Sequence, residues 1–152
     1  MSFYFLDTSA LVKRYHLELG TEIVDAVFAE NSSTKMISDL GVIEFYSTFA
    51  KKVRMGELSD AAFHNAIRLL AQDFQDNVVE ITSITDADKR SAGMLIEKYG
   101  LSQNLRTLDA LQLAVMNRLG RQLITRILCA DRAFVSIIEQ EGFTVTNPEH
   151  SQ

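Results

Sequence analysis

Five short apolar runs, separated by longer stretches of helical period, constrain the fold of this chain more than any other feature. Phe3–Leu6, Met36–Ser38, Val78–Ile81, Leu123–Cys129 and Phe143–Thr146 read as strands. Their largely unalternating character belongs to strands covered on both faces. Between them, "ELGTEIVDAVFAEN" places Ile23, Val24 and Val27 on one helical face, and "LGVIEFYSTFAKKVRMG" does the same with Val42, Phe45, Phe49 and Val53. "LSDAAFHNAIRLLAQDFQD" carries Phe63, Ile67, Leu70 and Phe74 behind Ser59, a predicted helix cap. Three further helical stretches run to Gly100, Gly120 and Gly142, where C-caps would fall. Strand–helix alternation of this kind predicts a parallel sheet between two helical layers. One departure stands out: two consecutive helices, Leu40–Gly56 and Ser59–Gln75, joined by "MGEL", which form a two-helix arm. The expectation is one α/β domain over residues 1–147 with a short tail at 148–152; 152 residues suffice for a sizeable core.

The chain carries a net charge of −5, which argues against bulk attraction to nucleic acid or to an acidic membrane. A polyanionic partner therefore requires a local basic patch or bound cations. One cysteine, Cys129, excludes an internal disulfide and suits a reducing compartment. The three histidines, His16, His64 and His150, are too scattered for a zinc site. No apolar run approaches membrane-spanning length and no basic leader precedes the first strand, so the expected location is the cytoplasm, with no membrane partner.

Ligands of parallel sheets gather beyond the carboxyl ends of the strands. Four acids occupy those places. Asp7 ends the first strand, Glu44 lies near the start of the helix after the second, Asp109 opens the helix begun by "RTLD", and Asp131 follows "LITRILCAD". Each also has a purely structural reading: Asp7 and Asp131 as helix N-caps, Asp109 as a partner of its helix dipole, Glu44 as a solvated surface residue. Glu44 nonetheless heads a stripe of small and polar residues, Gly41, Ser47, Thr48 and Lys51, beside the aromatic face. Taken together the four point to a cation, because clustered carboxylates repel and raise one another's pKa. Hard ions such as Mg²⁺, with Mn²⁺ as the alternative, take oxygen ligands and keep water in their remaining positions. The four acids account for most of the net charge.

The stretches "FLDTSALVKRY", "ISDLGVIEFYS", "LRTLDALQLA" and "ILCADRAF" are similar, in order and approximate spacing, to those of PIN-domain ribonucleases. More narrowly they resemble the VapC toxins of toxin–antitoxin pairs, along nearly the whole chain. The resemblance implies a three-layer α/β/α domain around a five-stranded parallel sheet. It also implies metal-dependent endonucleolytic cleavage of RNA, leaving a 5′-phosphate and a 3′-hydroxyl. Asp7, Glu44, Asp109 and Asp131 match the family's catalytic, metal-binding acids. Ser9 matches a small hydroxyl residue that holds the first carboxylate or an ordered water. Two positions depart from the pattern. Gln112 stands where histidine is frequent, and Cys129 stands where threonine or serine usually precedes the fourth acid, a change expected to weaken support for Asp131.

Lys13, Lys51 and Arg106 are the basic residues best placed for RNA phosphates, with surface lysine as the plainer reading of each. Tyr15 and Tyr46 are candidates for base stacking or for core, and His16 is expected at the surface. The family implies a cognate antitoxin with a DNA-binding domain, and a homodimer. Phe45, Phe49 and Phe63 on the arm are candidates for receiving a partner helix or for core, Phe49 above all for core. A receiver domain is excluded for want of the required third-strand Asp and fifth-strand Lys. A haloacid-dehalogenase phosphatase is excluded because Ser9 replaces its second Asp. Within the family, an RNA-processing nuclease without an antitoxin and a catalytically weak binding scaffold are the alternatives.

Overall fold

The computed structural model describes residues 1–150. In chain order the elements are β1 (Phe3–Leu6), α1 (Thr8–Tyr15), α2 (Thr21–Phe28), β2 (Thr34–Ser38), α3 (Asp39–Arg54), α4 (Asp60–Gln75), β3 (Glu80–Thr82), α5 (Asp86–Tyr99), α6 (Thr107–Leu119), β4 (Arg126–Leu128), α7 (Arg132–Gln140) and β5 (Val145–Thr146). The strands form one parallel sheet in the order β3-β2-β1-β4-β5. The connections from β1 lead to one side through β2, and the later strands return to its other side. The boundary between β1 and β4 is therefore the switch point where an open parallel sheet leaves a crevice at its carboxyl edge.

The pleat of β1 divides the core. Tyr4 and Leu6 face the layer that holds α1 to α4, and Phe5 faces the layer of α5 to α7. Neighbouring Ile127 and Leu128 on β4 split the same way. Both faces are covered, which is why the strand sequences do not alternate.

The expected elements all form, with β3, β4 and β5 shorter than the apolar runs that predict them. Residues 121–123 are a turn rather than strand, and Leu123 is exposed. The last strand pairs only through Ile127 with Val145 and Leu128 with Thr146, so its length is set by its neighbour. Ser59 and Ser38 cap α4 and α3 through their hydroxyls. Gly120 and Gly142 take left-handed φ values of 89° and 92°, as helix-ending glycines do. Gly100 does not: it stays in the right-handed helical region at φ −68°.

The two-helix arm is part of the core. Phe45 and Phe49 are fully buried, their rings tilted against each other with centroids 4.6 Å apart, and Phe45 meets Tyr15 edge to face. Each such ring contributes about 1.5–3 kcal/mol by leaving water. Of the two readings the sequence leaves open for these rings, core is the one found: α3 packs them against α1. Phe63 is partly buried against the same cluster. Beyond β5 the chain continues as part of the body. Pro148 is buried, with its carbonyl so close to Gly20 that a side chain there would collide, and Gly20 has φ +91°. Residues 151–152 of the expected tail lie outside the described residues.

Candidate active site

β1 stops at Leu6, and Asp7 follows with an extended backbone whose N–H donates to the Leu128 carbonyl at 2.9 Å, holding it against the end of β4. The Asp7 carboxylate accepts from the Ser9 N–H at 3.2 Å and from the Ser9 hydroxyl at 2.5 Å. Both sequence readings of Asp7 are satisfied at once, since it caps α1 and also faces the crevice. Ser9 in turn accepts from the Ala130 N–H at 2.9 Å, so one hydroxyl joins the β1 and β4 loops.

Glu44 lies in the second turn of α3. Its Oε1 accepts from the Gln112 amide at 3.0 Å and from the Thr8 hydroxyl at 3.3 Å. Asp109 is the third residue of α6. Asp131 caps α7 through Oδ1, which accepts from the Ala133 and Phe134 N–H groups at 3.0 and 3.2 Å. Its Oδ2 lies 3.6 Å from the Arg106 guanidinium, whose Nε is 3.5 Å from Asp109.

These carboxylates sense one another. Burial, opposed by the Ser9 hydrogen bonds, raises the pKa of Asp7, and the charges of Asp109 and Asp131 add to the rise. Glu44 is raised by burial and then by the charge of Asp7, with Gln112 and Thr8 opposing. Asp109 is raised by burial and by Asp131, with Arg106 opposing. Among the described residues, no three Asp, Glu, His or Cys side chains are grouped so that they could hold a metal ion. The donor set is nonetheless all oxygen and all anionic. That suits Mg²⁺ or Mn²⁺, which retain several waters and need few protein ligands. Beside the acids a cleft of about 320 Å³ is lined by Glu44, Arg106, Thr107, Leu108 and Asp109.

The basic residues divide sharply. Lys51 is exposed on the last turn of α3, and Arg106 is 66% exposed at the start of α6. Lys13, expected at RNA phosphates, is instead 2% exposed and paired at 2.9 Å with both Glu18 and Glu149. Its position one turn beyond Ser9 turns it inward beneath the C-terminal segment. Tyr15 gives its hydroxyl to Asp73 at 2.6 Å and belongs to the core, whereas Tyr46 remains partly exposed. His16 is not a free surface residue: its ring lies against Phe49, with Nδ1 3.6 Å from Glu18.

Cys129 is fully buried with its sulfur 3.7 Å from both Asp7 and Ser9, and 3.8 Å from the Asp131 carbonyl rather than its carboxylate. What holds the Asp131 carboxylate here is the pair of backbone amides of Ala133 and Phe134. Sequence reasoning also undervalued Gln112. It is buried, accepts from the Ser38 hydroxyl at 2.8 Å and donates to Glu44. Turning the amide over would set its carbonyl against a carboxylate, so the two partners fix its orientation. The signal was its spacing, three residues after Asp109 on one helical face.

A sequence profile of the PIN domain matches residues 4–136. No curated protein matches the sequence significantly. Among solved structures, the chain superposes on VapC20 of Mycobacterium tuberculosis, described as a sarcin–ricin loop cleaving toxin, with a TM-score of 0.70. Identity is 17%, over 98% of this chain and 99% of that one. A toxin–antitoxin complex from Klebsiella pneumoniae gives a TM-score of 0.61 at 13% identity, covering 98% and 99% of the two chains. VapBC2 of Rickettsia felis, bound to a DNA fragment from its promoter, gives 0.61 at 13% identity, covering 95% and 97%. At such identities the likeness is one of fold.

Proposed function

Because the chain belongs to the PIN-domain family, we propose that it is a divalent-metal-dependent endoribonuclease and the toxin of a toxin–antitoxin pair. The observation that carries this reading is the approach of four acids from separate elements: the charge of Asp109 raises the pKa of Asp7 and Glu44, and that of Asp131 raises Asp7 and Asp109, in each case on top of burial. Such mutual repulsion burdens the fold unless a cation relieves it.

Asp7 and Asp109 are the main ligands in this reading, with Glu44 bound directly or through water and Asp131 at the outer margin. A hard divalent ion held there acidifies water and neutralises charge that builds on a phosphate under attack. The chain's own residues supply the rest. Ser9 fixes the Asp7 carboxylate, and Gln112 and Thr8 fix Glu44. Lys51 and Arg106 are candidate contacts for RNA phosphates. The cytoplasm, where RNA is available, is the proposed location.

The toxin assignment draws on the company the fold keeps. The Klebsiella and Rickettsia structures are of toxin–antitoxin assemblies, the latter with promoter DNA. We accordingly infer a cognate antitoxin with a DNA-binding domain, and a homodimer. The deciding experiment is cleavage of total RNA by purified, partner-free protein in Mg²⁺, Mn²⁺ or EDTA, with Asp7→Asn alongside. Discrete cuts that need the metal and disappear in the variant support the nuclease. Cutting that persists in EDTA and in Asp7→Asn overturns it.

A further inference from the structure

Among the described residues, Arg106 is the one basic side chain within ion-pair distance of any of the four site acids, and it reaches two of them. Both contacts, at 3.5 and 3.6 Å, are longer than the 2.7–2.9 Å of a strong charge-assisted hydrogen bond. The side chain is 66% exposed and lines the cleft that Glu44 and Asp109 share. It sits on the residue preceding α6, whose backbone is extended and whose side chain caps nothing. No capping bond fixes the side chain, and its contacts with Asp109 and Asp131 are both long.

We propose that Arg106 is the built-in counter-cation of the acidic site, and that it exchanges the carboxylates of Asp109 and Asp131 for an RNA phosphate once a divalent ion is bound. The proposal rests on the nuclease reading and assigns a regulation to that site. Two cations cannot both claim the same carboxylate oxygens at full strength, so Arg106 competes with the ion. A guanidinium displaced from carboxylates keeps its planar fork of donors, whose geometry suits phosphate oxygens equally well. The exchange also answers the charge problem posed by the sequence. A phosphodiester approaching four acids needs positive charge at the rim, and that charge is withheld until the metal has arrived.

The test measures metal and RNA separately, so that it does not depend on cleavage. Mn²⁺ binding without RNA is measured by calorimetry for the wild type, Arg106→Gln and Arg106→Lys, each first shown to melt cooperatively. Loss of an exposed ion pair to carboxylates should tighten Mn²⁺ binding in Arg106→Gln by about two- to five-fold, with Arg106→Lys between. Binding of a short mixed-sequence oligoribonucleotide, measured in Ca²⁺ to suppress cutting, should weaken several-fold in Arg106→Gln and show a smaller dependence on salt. Unchanged or weaker Mn²⁺ affinity in Arg106→Gln overturns the competition. Tighter Mn²⁺ with undiminished RNA binding overturns the exchange. A wild type that takes up no Mn²⁺ fails differently, because it removes the nuclease reading itself and this proposal with it.

Discussion

Replacing Asp7 by asparagine separates what this residue does for the fold from what it does for the site. Asparagine is as good an N-cap as aspartate, so the hydrogen bond from the Ser9 N–H survives. The Ser9 hydroxyl then donates to a neutral oxygen instead of a charged one, a loss of order 0.5–1 kcal/mol. Against that, the substitution removes a carboxylate 7% exposed, whose pKa is raised by burial and by Asp109 and Asp131. A carboxylate raised in the folded state favours folding below its ordinary pKa and loses that benefit as pH rises through the folded value, so at neutral pH it burdens the fold. Asp7→Asn should therefore melt at or slightly above the wild type in EDTA. Asp7→Ala loses the cap and its hydrogen bonds, about 1–2 kcal/mol, and should melt roughly 2–8 °C lower. With Mg²⁺ at about 100 times its dissociation constant, the wild type gains about 2.7 kcal/mol, or roughly 5–10 °C, and Asp7→Asn far less. The assay is thermal melting of the three proteins in EDTA and in a Mg²⁺ series, with RNA cleavage read on the same samples. If asparagine destabilises as much as alanine in EDTA, the carboxylate belongs to the fold; if Mg²⁺ stabilises both equally, Asp7 is no ligand.

Other perturbations test the neighbouring inferences. Gln112→Leu leaves the Ser38 hydroxyl and Glu44 without their shared partner and should cost about 1–3 kcal/mol in urea unfolding. Its cleavage rate below the melting temperature should fall about 10–100-fold, as for other groups that orient metal ligands, and a normal rate would remove Gln112 from the site. Lys13→Met unpairs Glu18 and Glu149, which are partly exposed, and Glu18 keeps Lys52. A loss of about 1–3 kcal/mol is expected on that account, with RNA binding by the folded protein unchanged; weakened RNA binding at unchanged stability would restore Lys13 as a phosphate contact. Asp88, 2% exposed, accepts from the Arg118 Nε at 3.0 and 3.1 Å and from the Thr85 N–H at 2.9 Å. Burial pushes its pKa up, but Arg118 and Thr85 outweigh burial and leave it depressed. Its stabilisation is present above the ordinary Asp value, about 3.9, and lost as pH falls through the folded value. Asp88→Asn should accordingly cost about 1–2 kcal/mol near neutrality and progressively less as pH falls below the ordinary Asp value, about 3.9; a cost independent of pH would mean that shape, not charge, matters there.

The sequence alone determined the α/β alternation, the single covered sheet and the places of the four acids. Each of those is a property of a contiguous segment: a run of apolar residues, a helical period, a serine before a helix, an aspartate where a strand stops. Asp7 and Asp109 were legible for that reason, in "LDTS" and "RTLD". What the tertiary structure decided is which side chains meet across elements. Lys13 reads as a surface lysine from its neighbours in sequence, yet the segment carrying Glu149, 136 residues on, covers it. Phe45 and Phe49 could not be assigned to core or groove until α1 was seen packed against their face. Gln112 looked like a departure from a pattern, and becomes the link between Ser38 and Glu44 only when α6 lies beside the end of β2 and the start of α3. Arg106 likewise reaches Asp131 because β4 returns next to β1 and brings the start of α7 to the same edge. Local signals fix where each element begins and ends; the stacking of layers, driven by burial of both sheet faces, fixes which charges must share one crevice.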